Sequence, residues 1–154
     1  MYTSEQQTKD LLDAGFDFDS SDMMVVAGRG KNPFKDWNPI PKTTENCKKY
    51  EGKDMMPAWS DEALSILLPI NIKDPNTMVT DGISGEDIPL RFEFSIKKRI
   101  IPGRGKFFFV SYSDPTGMHT PYAAYLSRSL TQALVDMAIE IMCKQEKNII
   151  NYEW

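Results

Sequence analysis

Eight consecutive residues from Leu90 to Lys97, Leu-Arg-Phe-Glu-Phe-Ser-Ile-Lys, alternate apolar and polar, which dictates a half-buried β-strand in the second half of the chain. Pro102-Gly103-Arg104-Gly105 follows as turn chemistry, and Lys106-Phe107-Phe108-Phe109-Val110-Ser111-Tyr112 is an aromatic and β-branched run with the character of a second strand. The pair reads as a hairpin whose tip gathers Lys97, Lys98, Arg99, Arg104 and Lys106. Asp114-Pro115-Thr116-Gly117 matches a type I turn, with Asp at the first position, Pro at the second and Gly at the fourth. A third strand through Tyr122–Tyr125 should then return antiparallel and complete a meander. Behind it, Ser129 and Gln132 form a capping-box pair. Leu130, Ala133, Leu134, Met137, Ala138, Ile141 and Met142 recur at helical spacing, while Asp136, Glu140 and Lys144 fall off that stripe. The spacing predicts a helix over about 130–147, and its apolar stripe must cover something; the Leu90/Phe92/Phe94/Ile96 face is the candidate.

The first half is less regular. Ser4-Glu5-Gln6-Gln7 is another capping box, Leu11, Leu12 and Ala14 follow, and Gly15 suits a left-handed helix stop, so a short helix is expected over about 5–14. Residues 22–27 suit a short strand. Ser60 suits an N-cap, with Asp61 and Glu62 in a first turn that favours acids and Ala63, Leu64, Leu67 and Leu68 as a stripe ended by Pro69. Trp59 should pack into the core where that helix begins. Between Gly28 and Pro57 there are Pro33, Pro39, Pro41 and little periodicity, which reads as a long irregular basic segment. The fold class expected is α+β in a single domain over 1–154: an antiparallel meander of three or more strands packed against a C-terminal amphipathic helix, with two short N-terminal helices. A chain of 154 residues with 41% hydrophobic content can bury a core of that kind.

Charge is segregated along the chain. The net value is −4, yet residues 25–53 hold seven Lys/Arg against three acids and residues 96–106 hold five against none. Each basic stretch contains the same tetrapeptide, Gly28-Arg29-Gly30-Lys31 and Gly103-Arg104-Gly105-Lys106. Glycine lets the backbone approach an anion closely and arginine offers a planar fork of donors, so the pattern suits phosphate or carboxylate capture. Two flexible, solvated turns are the competing reading. An acidic chain of pI near 5 argues against duplex nucleic acid, whose binding draws on many phosphate contacts; a small anion or one acidic protein surface is the more economical partner.

Motifs that would name a reaction are missing. His119 is the single histidine, beside a turn and without a nucleophile in a recognisable context. Gly28-Arg29-Gly30-Lys31 lacks the spacing of a P-loop and runs into Asn32-Pro33 where a helix should start. Cys47 and Cys143 make neither a disulfide framework nor a metal site, and reduced thiols are expected. No cofactor or metal is expected, and catalysis by scattered carboxylates is the remaining route to a small hydrolase. The start of the chain lacks the basic and apolar regions of a signal peptide and no apolar stretch reaches membrane-spanning length, so a cytoplasmic protein with no membrane partner is expected. What the residues do offer is donor chemistry: Arg29, Lys31, Lys98, Arg99, Arg104 and Lys106, with Tyr112 and Tyr122 as aromatic faces on which a base can stack. If both tetrapeptides serve one site, a monomer or a symmetric oligomer has to bring them together.

Thr3-x-x-Gln6 with Leu11-Leu12 and Gly15, Asp22-Met23, Pro57-Ala58-Trp59-Ser60 with Leu64, Leu67-Leu68 and Pro69, and the Ser129-Leu130…Ala133…Met137 helix together resemble a family of small uncharacterised proteins encoded by phages and prophages of gut Bacteroidales. The basic segment before Pro57 and the Gly103–Lys106 tip lie outside that pattern. The resemblance implies a phage setting in the bacterial cytoplasm, where small non-enzymatic proteins counter host defence. Two functions are consistent with the basic segments in that setting: a sponge that sequesters a phosphorylated signalling nucleotide, or an inhibitor that docks on an acidic host protein.

Overall fold

Ser4 caps α1 (Glu5–Asp13) as the sequence dictates: its hydroxyl accepts the Gln7 N–H while the Gln7 side chain accepts the Ser4 N–H. The helix stops at Gly15, whose φ of 102° is open to glycine, with Phe16 N–H returning to the Leu11 carbonyl and Gly15 N–H to that of Leu12. The computed structural model describes residues 1–147 and the backbone of 151–153. Its chain divides into two compact units, Met1–Leu67 and Leu68–Trp154. Both contain antiparallel sheet and helix, so the fold is α+β.

In Met1–Leu67, α1 is followed by β1 (Met23–Val26), β2 (Ile40–Pro41), α2 (Thr44–Lys49), β3 (Met55–Ala58) and α3 (Asp61–Leu67). The three strands form a sheet in the order β2-β1-β3, antiparallel throughout. The segment expected to be irregular from Gly28 to Pro57 therefore contributes both edge strands and a helix. Each is too short to show a period, and the prolines fit because Pro41 and Pro57 lie on edges, where a ladder donor can be missing. Trp59 is fully buried with Leu11, Met24, Val25, Ala58 and Leu64, and its ring meets Phe16 edge-on at 6.4 Å. Thr3 ties the ends of this unit together: its N–H donates to the Trp59 carbonyl at 2.8 Å and its hydroxyl accepts from the Trp59 N–H at 3.0 Å. Ser60 caps α3, accepting from Ala63 N–H, and donates in turn to Asp22.

In Leu68–Trp154, β4 (Asn71–Thr80), β5 (Asp87–Ile101), β6 (Gly105–Ser113), β7 (Ala123–Ser127) and β8 (Asn151–Glu153) form an antiparallel sheet in the order β7-β6-β5-β4-β8, and α4 (Leu130–Glu146) crosses it. The expected β5–β6 hairpin and the return through β7 are present, and Gly117 N–H closes the expected turn on the Asp114 carbonyl at 3.0 Å. β4 was not expected. It carries Pro75, and its pairing with β5 jumps between Asp74 and Met78, so Pro75, Asn76 and Thr77 bulge out of the ladder while the Asp74 carboxylate accepts from Asn76 N–H and Thr77 Oγ1.

Of the helix stripe, Ala133, Leu134, Met137, Ala138 and Ile141 are buried, with Leu134 and Met137 fully enclosed, whereas Leu130 and Met142 are half-buried and Val135, outside the stripe, is buried as well. The seat of the helix differs from the expected one: α4 lies closest to β6 and β7 rather than along β5, and only Leu90 and Phe92 of the four expected β5 residues are buried. Phe94 is half-buried and Ile96 is exposed, because β5 runs out beyond the helix into the hairpin tip.

Candidate functional site

The first tetrapeptide is a closed loop in Met1–Leu67. Gly28 N–H donates to the Pro33 carbonyl at 2.6 Å, and a Cβ on Gly28 would sit 3.3 Å from that same oxygen. Gly30 has a φ of 107°, a conformation that side chains other than glycine adopt only with strain. The loop leaves β1 and walls a hollow of about 370 Å³ whose polar lining is Arg29, Asn32, Lys35, Asp36, Asn38 and Tyr50, with Val26 and Ile40 supplying apolar surface. A second hollow of about 400 Å³ is bounded by Ala27, Gly28, Arg29, Lys53 and Asp54, so Arg29 borders both. Among the described residues Arg29 and Lys35 form no ion pair. Lys49 and Lys53 lie 5.2 and 5.7 Å from the centre of the Tyr50 ring. Lys31 is exposed and lines neither hollow.

The second tetrapeptide, in Leu68–Trp154, is built differently: it is the β5–β6 turn. Gly103 and Gly105 have positive φ, and Arg104 N–H donates to Ile101. Lys97, Lys98, Arg99, Arg104 and Lys106 are all exposed here, and none forms an ion pair among the described residues. Three cations lie over the phenylalanines of β6: Arg99 over Phe109 at 4.5 Å, Lys106 over Phe108 at 5.3 Å and Arg128 over Phe107 at 5.4 Å. Lys98 stands beside Lys106, and this neighbouring amine disfavours a second positive charge and holds the Lys106 amine below the usual lysine range.

Of the two expected aromatic faces, that of Tyr112 is enclosed. Tyr112 is fully buried; its hydroxyl donates to the Pro69 carbonyl at 2.7 Å and its ring packs on Phe94, so it is a core residue with no face open to a ligand. Burial pushes its phenol well above the usual tyrosine range. Tyr122 is half-buried, with Phe92 at 5.5 Å and the Lys144 ammonium over its ring at 4.2 Å. Tyr125 donates to Glu140 at 2.5 Å, and Glu140 also pairs with Lys144. Asn32, Lys35, Asn38, Tyr50 and Arg128 were not singled out from sequence; the pairing of β1 with β2, and a chain reversal after β7, bring them in.

His119 accompanies a buried carboxylate. Asp114 Oδ2 lies 2.7 Å from His119 Nδ1 and accepts from Thr116 Oγ1 at 2.6 Å, while Asp114 Oδ1 accepts from Thr116 N–H. These bonds, led by the Thr116 hydroxyl, hold the Asp114 carboxyl well below the usual carboxylate range. The geometry is that of a turn organised around one aspartate. Among the described residues no group of three or more His, Cys, Asp or Glu is placed to hold a metal ion, and no helix is long and apolar enough to cross a membrane. Cys47 and Cys143 are unpaired with one another.

No known protein family, curated protein or solved structure matches this chain.

Proposed function

We propose that this chain is a non-catalytic binding protein that takes up a phosphorylated small molecule in the Arg29 hollow. The observation that carries the reading is a guanidinium without an ion pair at the edge of concave space already lined by Lys35, Asn32 and Asn38. Two cations and two amides supply donors for a phosphate, and an Arg fork binds it in two directions at once. Asp36 and Tyr50 set the rest of the ligand's chemistry. A carboxylate in the lining disfavours a bare polyanion and favours a molecule that also carries hydroxyl or amino donors, and a half-exposed ring favours a flat group. A nucleotide combines all three properties. In the phage setting that the sequence resemblance implies, such a protein acts as a sponge for a host immune nucleotide.

The test is a panel of mononucleotides, cyclic dinucleotides, cyclic oligonucleotides and ADP-ribose derivatives, read by thermal shift and then by equilibrium dialysis. A ligand of the folded state raises the melting temperature by mass action. No shift and no retention across the panel at millimolar concentration would remove the sponge reading.

A further inference from the structure

We infer that the exposed β5–β6–β7 face at the hairpin tip binds single-stranded nucleic acid. The register places Lys97 opposite Phe109, Arg99 opposite Phe107 and Leu126 opposite Phe109, so these side chains share one face of the sheet. Phe107 and Phe109 are two residues apart on one strand, about 6.6 Å at 3.3 Å per residue. That is roughly twice the 3.4 Å stacked rise of a nucleic-acid strand, a spacing at which consecutive bases are unstacked and each meets its own ring. Both rings are half-buried, and each is accompanied by a guanidinium, Arg99 on Phe109 and Arg128 on Phe107. Guanidinium planes and aromatic rings are the two surfaces on which unpaired bases stack.

The charge around the rings completes the fit. Lys97 and Arg99 share the face of the rings while Lys98 and Lys106 fall on the opposite face, residues 96–106 contain no acid, and Arg128 Nη2 donates to the Arg104 carbonyl at 3.1 Å, which ties the turn to the end of β7. A backbone crossing the face meets Lys97 and Arg99 beside the rings and Arg104 at the tip. A duplex keeps its bases stacked inside and leaves the phenylalanines idle. An acidic peptide satisfies the cations but gives the regularly spaced rings nothing to stack on. This inference is independent of the Arg29 hollow.

Fluorescence anisotropy with short labelled oligothymidylate and oligouridylate probes tests it, with a duplex of equal length and polyglutamate as competitors. Binding of the single strands should weaken with salt, and Arg99→Gln and Arg104→Gln should each reduce the log–log salt slope by about 0.7. Phe109→Leu should weaken binding about fivefold or more with the slope unchanged, and Arg29→Ala should leave it intact. Thermal unfolding confirms that each variant is folded; if Phe109→Leu is not, the two exposed arginine variants carry the test. Absence of single-strand binding at low salt, equal affinity for the duplex, or displacement by polyglutamate with Phe109→Leu behaving as wild type would each overturn the proposal, the last in favour of an acidic protein partner.

Discussion

Removing the hydroxyl of Tyr112 separates a core role from a ligand-binding one. The side chain is fully buried, and its single polar atom donates to the Pro69 carbonyl at 2.7 Å. Tyr112→Phe keeps the ring and its 5.3 Å contact with Phe94, but it leaves a buried carbonyl without that donor. A typical intramolecular hydrogen bond contributes about 0.5–1.5 kcal/mol net, and an orphaned buried acceptor costs about 1–3 kcal/mol. The variant should therefore lose about 1–2 kcal/mol. For a chain of this length that corresponds to a fall in melting temperature of about 2–8 °C, measurable by circular dichroism. A pH titration of tyrosine absorbance should agree, because burial raises the Tyr112 phenol and delays its ionisation until the protein unfolds. Ligand affinity should stay at the wild-type value. A variant with unchanged stability but weakened nucleotide binding would refute the placement of Tyr112 in the core.

Leu134→Asp should abolish soluble folding, since the position is fully enclosed beneath α4 and an unpaired carboxylate is costly to bury; a soluble, cooperatively melting variant would contradict the helix seat. Asp114 governs part of the acid limb. Its carboxyl is depressed in the folded state, so its contribution is fully present above its ordinary value near about 3.9 and is lost as pH falls below that. Asp114→Asn should be less stable than wild type at neutral pH and should show a flatter loss of stability below about pH 4, whereas superimposable acid limbs in urea titrations would rule the assignment out.

The parts of the fold that the sequence revealed are those whose pattern runs long enough to repeat. α4 has seventeen residues of helical period, β5 has eight of strict alternation, and α1 and α3 have side-chain caps; each is read from local residues alone. β4 is hidden in sequence because Asp74 and Pro75 are residue types that favour turns, yet here they shape a bulge within one strand. β2, α2 and β3 have two, six and four residues, too few for any period, and α2 buries nothing that would give it a stripe. The candidate site was half legible. Arg29 and the hairpin cations stand out by composition, but the partners that make a hollow or a platform of them, Asn38, Tyr50 and Arg128, are brought there by pairing and chain reversal. Tyr112 was placed on the wrong side for the complementary reason: strand residues alternate faces, and the face that Tyr112 takes is the one α4 covers.

Binding of the nucleotide panel to wild type and to Arg29→Ala, followed by isothermal titration calorimetry, measures the central claim directly. A charge-assisted contact to phosphate contributes about 1.5–3 kcal/mol, so the substitution should weaken the retained nucleotide by about tenfold or more, while Lys31→Ala, outside both hollows, should change it little. A nucleotide that binds wild type and Arg29→Ala equally well would contradict the assignment of this hollow as the site.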